Sequence, residues 1–224
     1  MASQRTGLLA VWTDVEPAAE ADFNEWYHRE HLAERAANAG FLNARRYQSA
    51  QAAPRYFAAY DTRSLAVLGS PAYLKALANQ TAWSRRVLPR MRNTTRMIAA
   101  LASDRGAGLG GAMLTVRLAP GPAGAAPLAE ALGRDLLESL AALPGVVRVS
   151  VALGVVASLD MDTKRPPRLA AERPDAVALL VEGTDLLPLE GISGGPLRDD
   201  ALCAAGAGAV LQRGLYRMSK TVLA

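Results

Sequence analysis

The chain has one cysteine, two histidines and no long hydrophobic run among its 224 residues. A single cysteine, Cys203, excludes an internal disulfide framework and a cysteine-rich metal site. Its Ala/Gly-rich setting predicts a small buried thiol. No segment reaches the roughly 20 continuous apolar residues of a membrane helix. The N-terminus also lacks a signal-peptide core, so a cytoplasmic protein without a membrane partner is expected. The Gly-rich stretch 103–111 lacks the Gly-Lys-Ser/Thr ending of a phosphate loop. The formal charge of +4 is scattered. Arg85, Arg86, Arg90 and Arg92 make a basic patch with no interleaved aromatics, which reads as a solvated face and not as a nucleic-acid surface. Half of the residues are hydrophobic, enough for the core of one large domain or two small ones.

Strands are expected at 7–13, 41–49, 55–61 and 93–101. A helix over 18–38 starts at Pro17 and stops at Gly40, and further helices cover 64–78 and 81–87. The order is β-α-β-β-α-β, the ferredoxin-like pattern. After the Gly-rich stretch it repeats: strand 112–118, helix 126–143, strands 146–153 and 176–181, a weak helix 197–205 and strand 210–222. This order and its turn chemistry imply an internal duplication. Residues 1–103 form the unit carrying the site, 104–111 a linker, and 112–224 a degenerate unit acting as structural partner. Each unit places helices on one face of a four-stranded antiparallel sheet, leaving the other face bare. The expected fold is therefore α+β: two tandem ferredoxin-like units packed sheet to sheet into an intrachain α/β barrel. A homodimer beyond that barrel stays open.

Both histidines fall in one stretch, Phe23 to Leu32. At about 100° per residue, Phe23, Trp26, Tyr27, Glu30 and Glu34 form one stripe, with His31 at its edge. His28 points further round, towards the surface. A buried carboxylate and imidazole are costly unless they are paired or reach a wet cavity. The stripe therefore predicts a helix that roofs a pocket.

The segment Trp26-Tyr27-His28-Arg29-Glu30-His31-Leu32 resembles the EthD-like branch of the dimeric α/β-barrel superfamily. Trp12-Thr13-Asp14, the run from Gly40 to Tyr47, and Ser70-Pro71-Ala72-Tyr73 support the likeness over roughly the first hundred residues. Ala33 stands where relatives often carry a proline. The resemblance implies the barrel fold and a wide range of activities. These include cofactor-free polyketide cyclases, lactone isomerases, dehydratases, quinone-forming monooxygenases, haem enzymes and stress proteins.

His31 is the candidate general acid or base, because imidazole titrates near neutral pH. Tyr27 lies four residues earlier on nearly the same face, and Glu30 is the direct neighbour. The competing reading is a core histidine bonded to backbone. Trp12 and Asp14 share a strand face. If Trp12 and Tyr60 face the helix, they join Tyr27 and Trp83 as walls for a flat apolar ligand, and Phe23 is a further binding candidate. Asn43, Arg45 and Tyr47 share a face with Phe41. Arg45 or Arg46 would hold a carboxylate or enolate, although adjacent arginines on a strand usually include an exposed one. His28, His31 and Glu34 diverge too widely for a metal, and none is expected. The function expected is a cofactor-independent proton-transfer enzyme of cyclase, lyase, dehydratase or isomerase type. Its substrate would be a small apolar, aromatic or polyketide-like compound. A haem-binding oxidoreductase and a non-catalytic ligand-binding or stress protein are the alternatives.

Overall fold

The computed structural model describes residues 5–155 and 176–224. The remainder of the second unit, 156–175, lies outside the described residues. Eight antiparallel strands close into one barrel: β1 (Gly7–Val15), β2 (Phe41–Gln48), β3 (Tyr56–Thr62), β4 (Met91–Gly106), β5 (Ala112–Pro120), β6 (Val146–Gly154), β7 (Val177–Gly183) and β8 (Ala207–Leu223). Around the barrel the order is β1-β3-β2-β8-β5-β7-β6-β4. Each half thus keeps one arrangement, β4-β1-β3-β2 and β8-β5-β7-β6. Hydrogen bonding of β2 to β8 and of β4 to β6 joins the halves. The fold is α+β, with two ferredoxin-like repeats forming an α/β barrel within one chain. Closure leaves no free strand edge to pair with another chain.

The first half carries α1 (Glu20–Trp26), a π-helical turn (Tyr27–His31), α2 (Leu32–Ala36), α3 (Pro71–Ala78) and α4 (Ala82–Val87). The second carries α5 (Ala125–Asp135), α6 (Leu137–Ala141), α7 (Leu186–Gly194) and α8 (Asp199–Ala204). Among the described residues no helix is long and apolar enough to cross a membrane.

Period-two alternation sorts the core. On β1, Leu8, Ala10 and Trp12 point into the barrel, while Leu9 packs under the aromatic helix with Val11 beside it. Trp12 therefore does not share a chamber with Tyr60, which lies on the helix side. Its indole N–H instead donates to Thr115 Oγ1 across the barrel at 3.1 Å. Phe41 also parts from Asn43, Arg45 and Tyr47. The register shift between Phe41 and Asn43 turns it to the helices, whereas Tyr47 belongs to the interior cluster.

Both arginines of β2 are buried, at 1% exposure each. A strand with helices on one face and a barrel interior on the other has no solvent side, so neighbouring residues pointing opposite ways are both covered. Arg45 lies inside, held by Asp61 at 2.9 Å and by Glu182 of the second half at 2.7 Å. Arg5 bonds the same Asp61 at 2.8 Å. This network pairs the buried charges and ties the halves together. Arg46 lies on the helix face, 4.0 Å over the Tyr27 ring and 4.6 Å over that of Phe23.

Three elements and one side chain differ from the expected pattern. β4 runs to Gly106 and pairs Ser103–Gly106 with β6, so the stretch expected as linker begins inside a strand. The helix expected over 126–143 is interrupted at Leu136. α7 was not anticipated, because Pro188, Gly191 and Gly194 disguise it. Cys203 is exposed, not buried. α8 buries Leu202 and turns the next position to solvent.

Candidate functional site

The π turn sets the site. Five residues along a regular α-helix are about 140° apart, so Trp26 and His31 would face different ways. The wider turn, closed by i→i+5 bonding, brings them into line. Their rings stack with centroids 4.1 Å apart and planes 27° from parallel. Tyr27 meets the same imidazole edge-on at 5.0 Å, and Tyr60 approaches it from β3 at 6.4 Å.

Glu30 is turned away from this group. Its Oε1 accepts from Thr81 Oγ1 at 2.6 Å and from the Trp26 indole N–H at 3.2 Å. Ser84 Oγ also accepts from that indole, at 3.1 Å. Glu30 therefore clamps the aromatic helix to α4 and fixes the indole on which His31 rests.

A partly open cavity of about 90 Å³ lies beside His31. Trp26, Tyr27, His31, Arg35, Tyr60, Tyr73 and Arg96 contribute its polar and aromatic lining; Leu9, Val11, Leu77, Leu88 and Met91 supply apolar walls. Three of these residues hold buried polar atoms with no hydrogen-bond partner, namely His31 Nδ1, Arg35 Nε and Nη1, and Arg96 Nη2, and the Tyr60 hydroxyl meets only that of Tyr27. Glu34 Oε2 is 3.9 Å from His31 Nδ1, too far for a hydrogen bond. Buried polar atoms in folded proteins are nearly always paired, so these residues around one cavity make it the candidate site.

Burial, reinforced by the charges of Arg35 and Arg46, holds the His31 imidazole well below its ordinary value. It is neutral at neutral pH and can accept a proton. Burial also pushes the Tyr60 phenol well above its ordinary value, with the neighbouring Tyr27 adding to the effect. Burial likewise raises Tyr27, against the charge of Arg46. Both phenols stay protonated and can donate.

Of the residues expected at a site, His31, Tyr27 and Tyr60 meet at the cavity. The others do not line it. Phe23 packs behind Tyr27 and Tyr56, its ring 5.0 Å from each. Trp83 sits on α4 and donates to Asp22 at 2.9 Å. Trp12 and Arg45 lie inside the barrel. Asp14 caps a barrel end, accepting from the Arg55 backbone N–H at 2.7 Å and from Asn93 Nδ2 at 2.9 Å. His28 is half-buried at the seam with β8, where Lys220 donates to its carbonyl. Arg35 and Arg96 were not anticipated. The spacing Tyr27, His31, Arg35, one residue in every four, carried a signal for the first.

The enclosed space is smaller than the ~150 Å³ hollow that takes one benzene ring, so a larger ligand would extend through the open side of the cavity, and the indole of Trp26 covers one face of the imidazole. Among the described residues, no three His, Cys, Asp or Glu side chains are grouped to hold a metal ion.

No family model matches the chain, and no curated protein matches its sequence. Solved structures do match. An anthrone oxidase-like protein superposes with a TM-score of 0.68 and 14% identity, over 100% of this chain and 95% of its own. A candidate monooxygenase of Fusobacterium nucleatum reaches 0.60 at 10% identity, over 98% and 95%. One of Lactobacillus acidophilus reaches 0.59 at 10%, over 97% and 96%. At such identities the likeness is one of fold.

Proposed function

We propose that the chain is a cofactor-independent enzyme in which His31 takes a proton from a small, flat carbon acid bearing a carbonyl or phenol oxygen. The observation that carries this reading is a neutral buried imidazole beside the Tyr60 hydroxyl and unpaired donors on Arg35 and Arg96. As the proton leaves, negative charge develops on the substrate oxygen, and fixed donors in a water-poor cavity lower the energy of that enolate. The Trp26 face, stacked on the imidazole, supports the imidazolium as it forms. Return of the proton to another atom of the substrate gives isomerisation; attack of the enolate carbon on a carbonyl of the same substrate, with the proton passed to the resulting alkoxide, gives cyclisation; expulsion of a β-leaving group, which carries the proton away, gives elimination. The same enolate is a point of attack for dioxygen. The names of similarly folded proteins, anthrone oxidase-like and monooxygenase, favour keeping oxygenation as the second branch of this one chemistry.

The test follows deuterium exchange into carbon acids graded in size from acetylacetone to anthrone, with dioxygen uptake recorded in parallel. Enzyme-dependent exchange that disappears in His31→Gln supports the proposal, and uptake of dioxygen selects the oxygenase branch. Binding of these compounds without exchange favours a ligand-binding protein. A stoichiometric Soret band after incubation with haem would replace the proposal with the oxidoreductase alternative.

A further inference from the structure

We infer that Arg35 and Arg96 form an anion subsite in the His31 cavity, one that takes the carboxylate of a planar acid whose apolar body rests on Leu77, Leu88 and Met91. The inference rests on the proposed function in placing the ligand beside His31, and it adds that the ligand carries a charge before any proton moves.

Arg35 is 4% exposed and Arg96 7%, and both line the cavity. A guanidinium has five N–H donors in a fixed fork and stays charged inside a protein. Arg35 spends one nitrogen on Glu34 Oε1, at a long 3.4 Å, and rests 5.9 Å over the Tyr73 ring. Its Nε and Nη1 have no partner, and neither has Arg96 Nη2. Glu34 is outside the cavity lining and meets Arg35 only through that long contact. Buried donors on charged groups are costly when left unpaired, so two such side chains at one cavity signal a missing acceptor. A carboxylate matches the planar fork of a guanidinium. The apolar lining favours an acid with a hydrophobic body over a free inorganic anion, which would lose its hydration without recovering it there.

Benzoate, the isosteric neutral benzamide and inorganic phosphate are the probes, with binding followed on His31 ring resonances and Trp26 fluorescence of the intact chain. We expect saturable benzoate binding at least tenfold tighter than that of benzamide, and no saturable effect of phosphate. Arg96→Met and Arg35→Met should each weaken benzoate by tenfold or more and leave benzamide unchanged. If one variant does not fold, the other and the wild-type comparison decide. Equal binding of benzoate and benzamide, competition by phosphate, or loss of both ligands together in the variants would overturn the subsite. Exchange that depends on His31 without benzoate selectivity removes the subsite and leaves the proton-transfer reading. Selectivity without exchange does the converse.

Discussion

The indole of Trp26 and the imidazole of His31 stack at 4.1 Å although five residues separate them in sequence. One π turn makes the contact, and π turns inserted in α-helices recur at functional sites. The stack covers one face of His31. The ring is thereby held beside the Tyr60 hydroxyl and the unpaired donors of Arg35 and Arg96, and that arrangement governs the predictions below.

Tyr60→Phe separates function from stability. The hydroxyl belongs to a residue 1% exposed and meets only the Tyr27 hydroxyl. Removing it should change unfolding free energy by no more than about 1 kcal/mol, measured by urea titration. Turnover should fall at least tenfold, because a donor to the developing oxyanion is lost. A variant that is less stable and fully active would show that the hydroxyl only fills space.

His31 also leaves a signature in stability against pH. Its folded value lies well below the ordinary 6.5, so the unfolded chain takes up a proton at this position first as the pH falls. The folded state thus loses stability from about pH 6.5 downwards until the folded value is passed, and above pH 6.5 no slope remains. Burial also lowers His28 and raises Glu34 from their ordinary values, so the difference between wild type and His31→Gln isolates the effect. Wild type should lose ground to the variant as the pH drops below 6.5. A difference independent of pH would place His31 in solvent-like surroundings.

The barrel interior predicts a contrast between two ion pairs. Glu182 and Arg45 are 2% and 1% exposed at 2.7 Å, and Glu182 Oε2 also accepts from the Gly110 backbone N–H at 3.0 Å. Glu182→Gln should cost about 3 kcal/mol by removing one of the two carboxylates that balance the buried Arg45 and Arg5, Asp61 alone remaining fully buried between them. The exposed pair of Glu138 with Arg105 should contribute about 0–1 kcal/mol when Glu138 is replaced by Gln. Equal effects in urea unfolding would contradict the role given to the interior network.

The fold was legible because element order and turn residues repeat across the halves, and a bare sheet face has few ways to be covered. What escaped was set by tertiary register. Alternation placed Trp12 and Asp14 on one face but gave no means of knowing that Tyr60 belonged to the other side of the sheet. The bulge at Phe41 reversed one residue against its neighbours. Arg45 and Arg46 violated the habit that one of two adjacent strand arginines is exposed, because a closed barrel covers both faces. A uniform helical period hid the alignment of Trp26 with His31 and put Glu30, bonded to Thr81 and Trp26, among the reacting groups. Arg96 carried no local signal, since its place at the cavity depends on the pairing of β4 with β1.

Turnover and melting temperature of His31→Gln, measured on the same preparation beside Glu30→Gln and His28→Gln, test the role of His31 most directly. A general base contributes about 10²–10⁴-fold, so His31→Gln should lose that much turnover and keep a melting temperature close to wild type. Glu30→Gln should lower the melting temperature more than it lowers turnover per folded molecule, and His28→Gln should do little to either. Full activity of His31→Gln once folded would contradict the assignment of this histidine as the base.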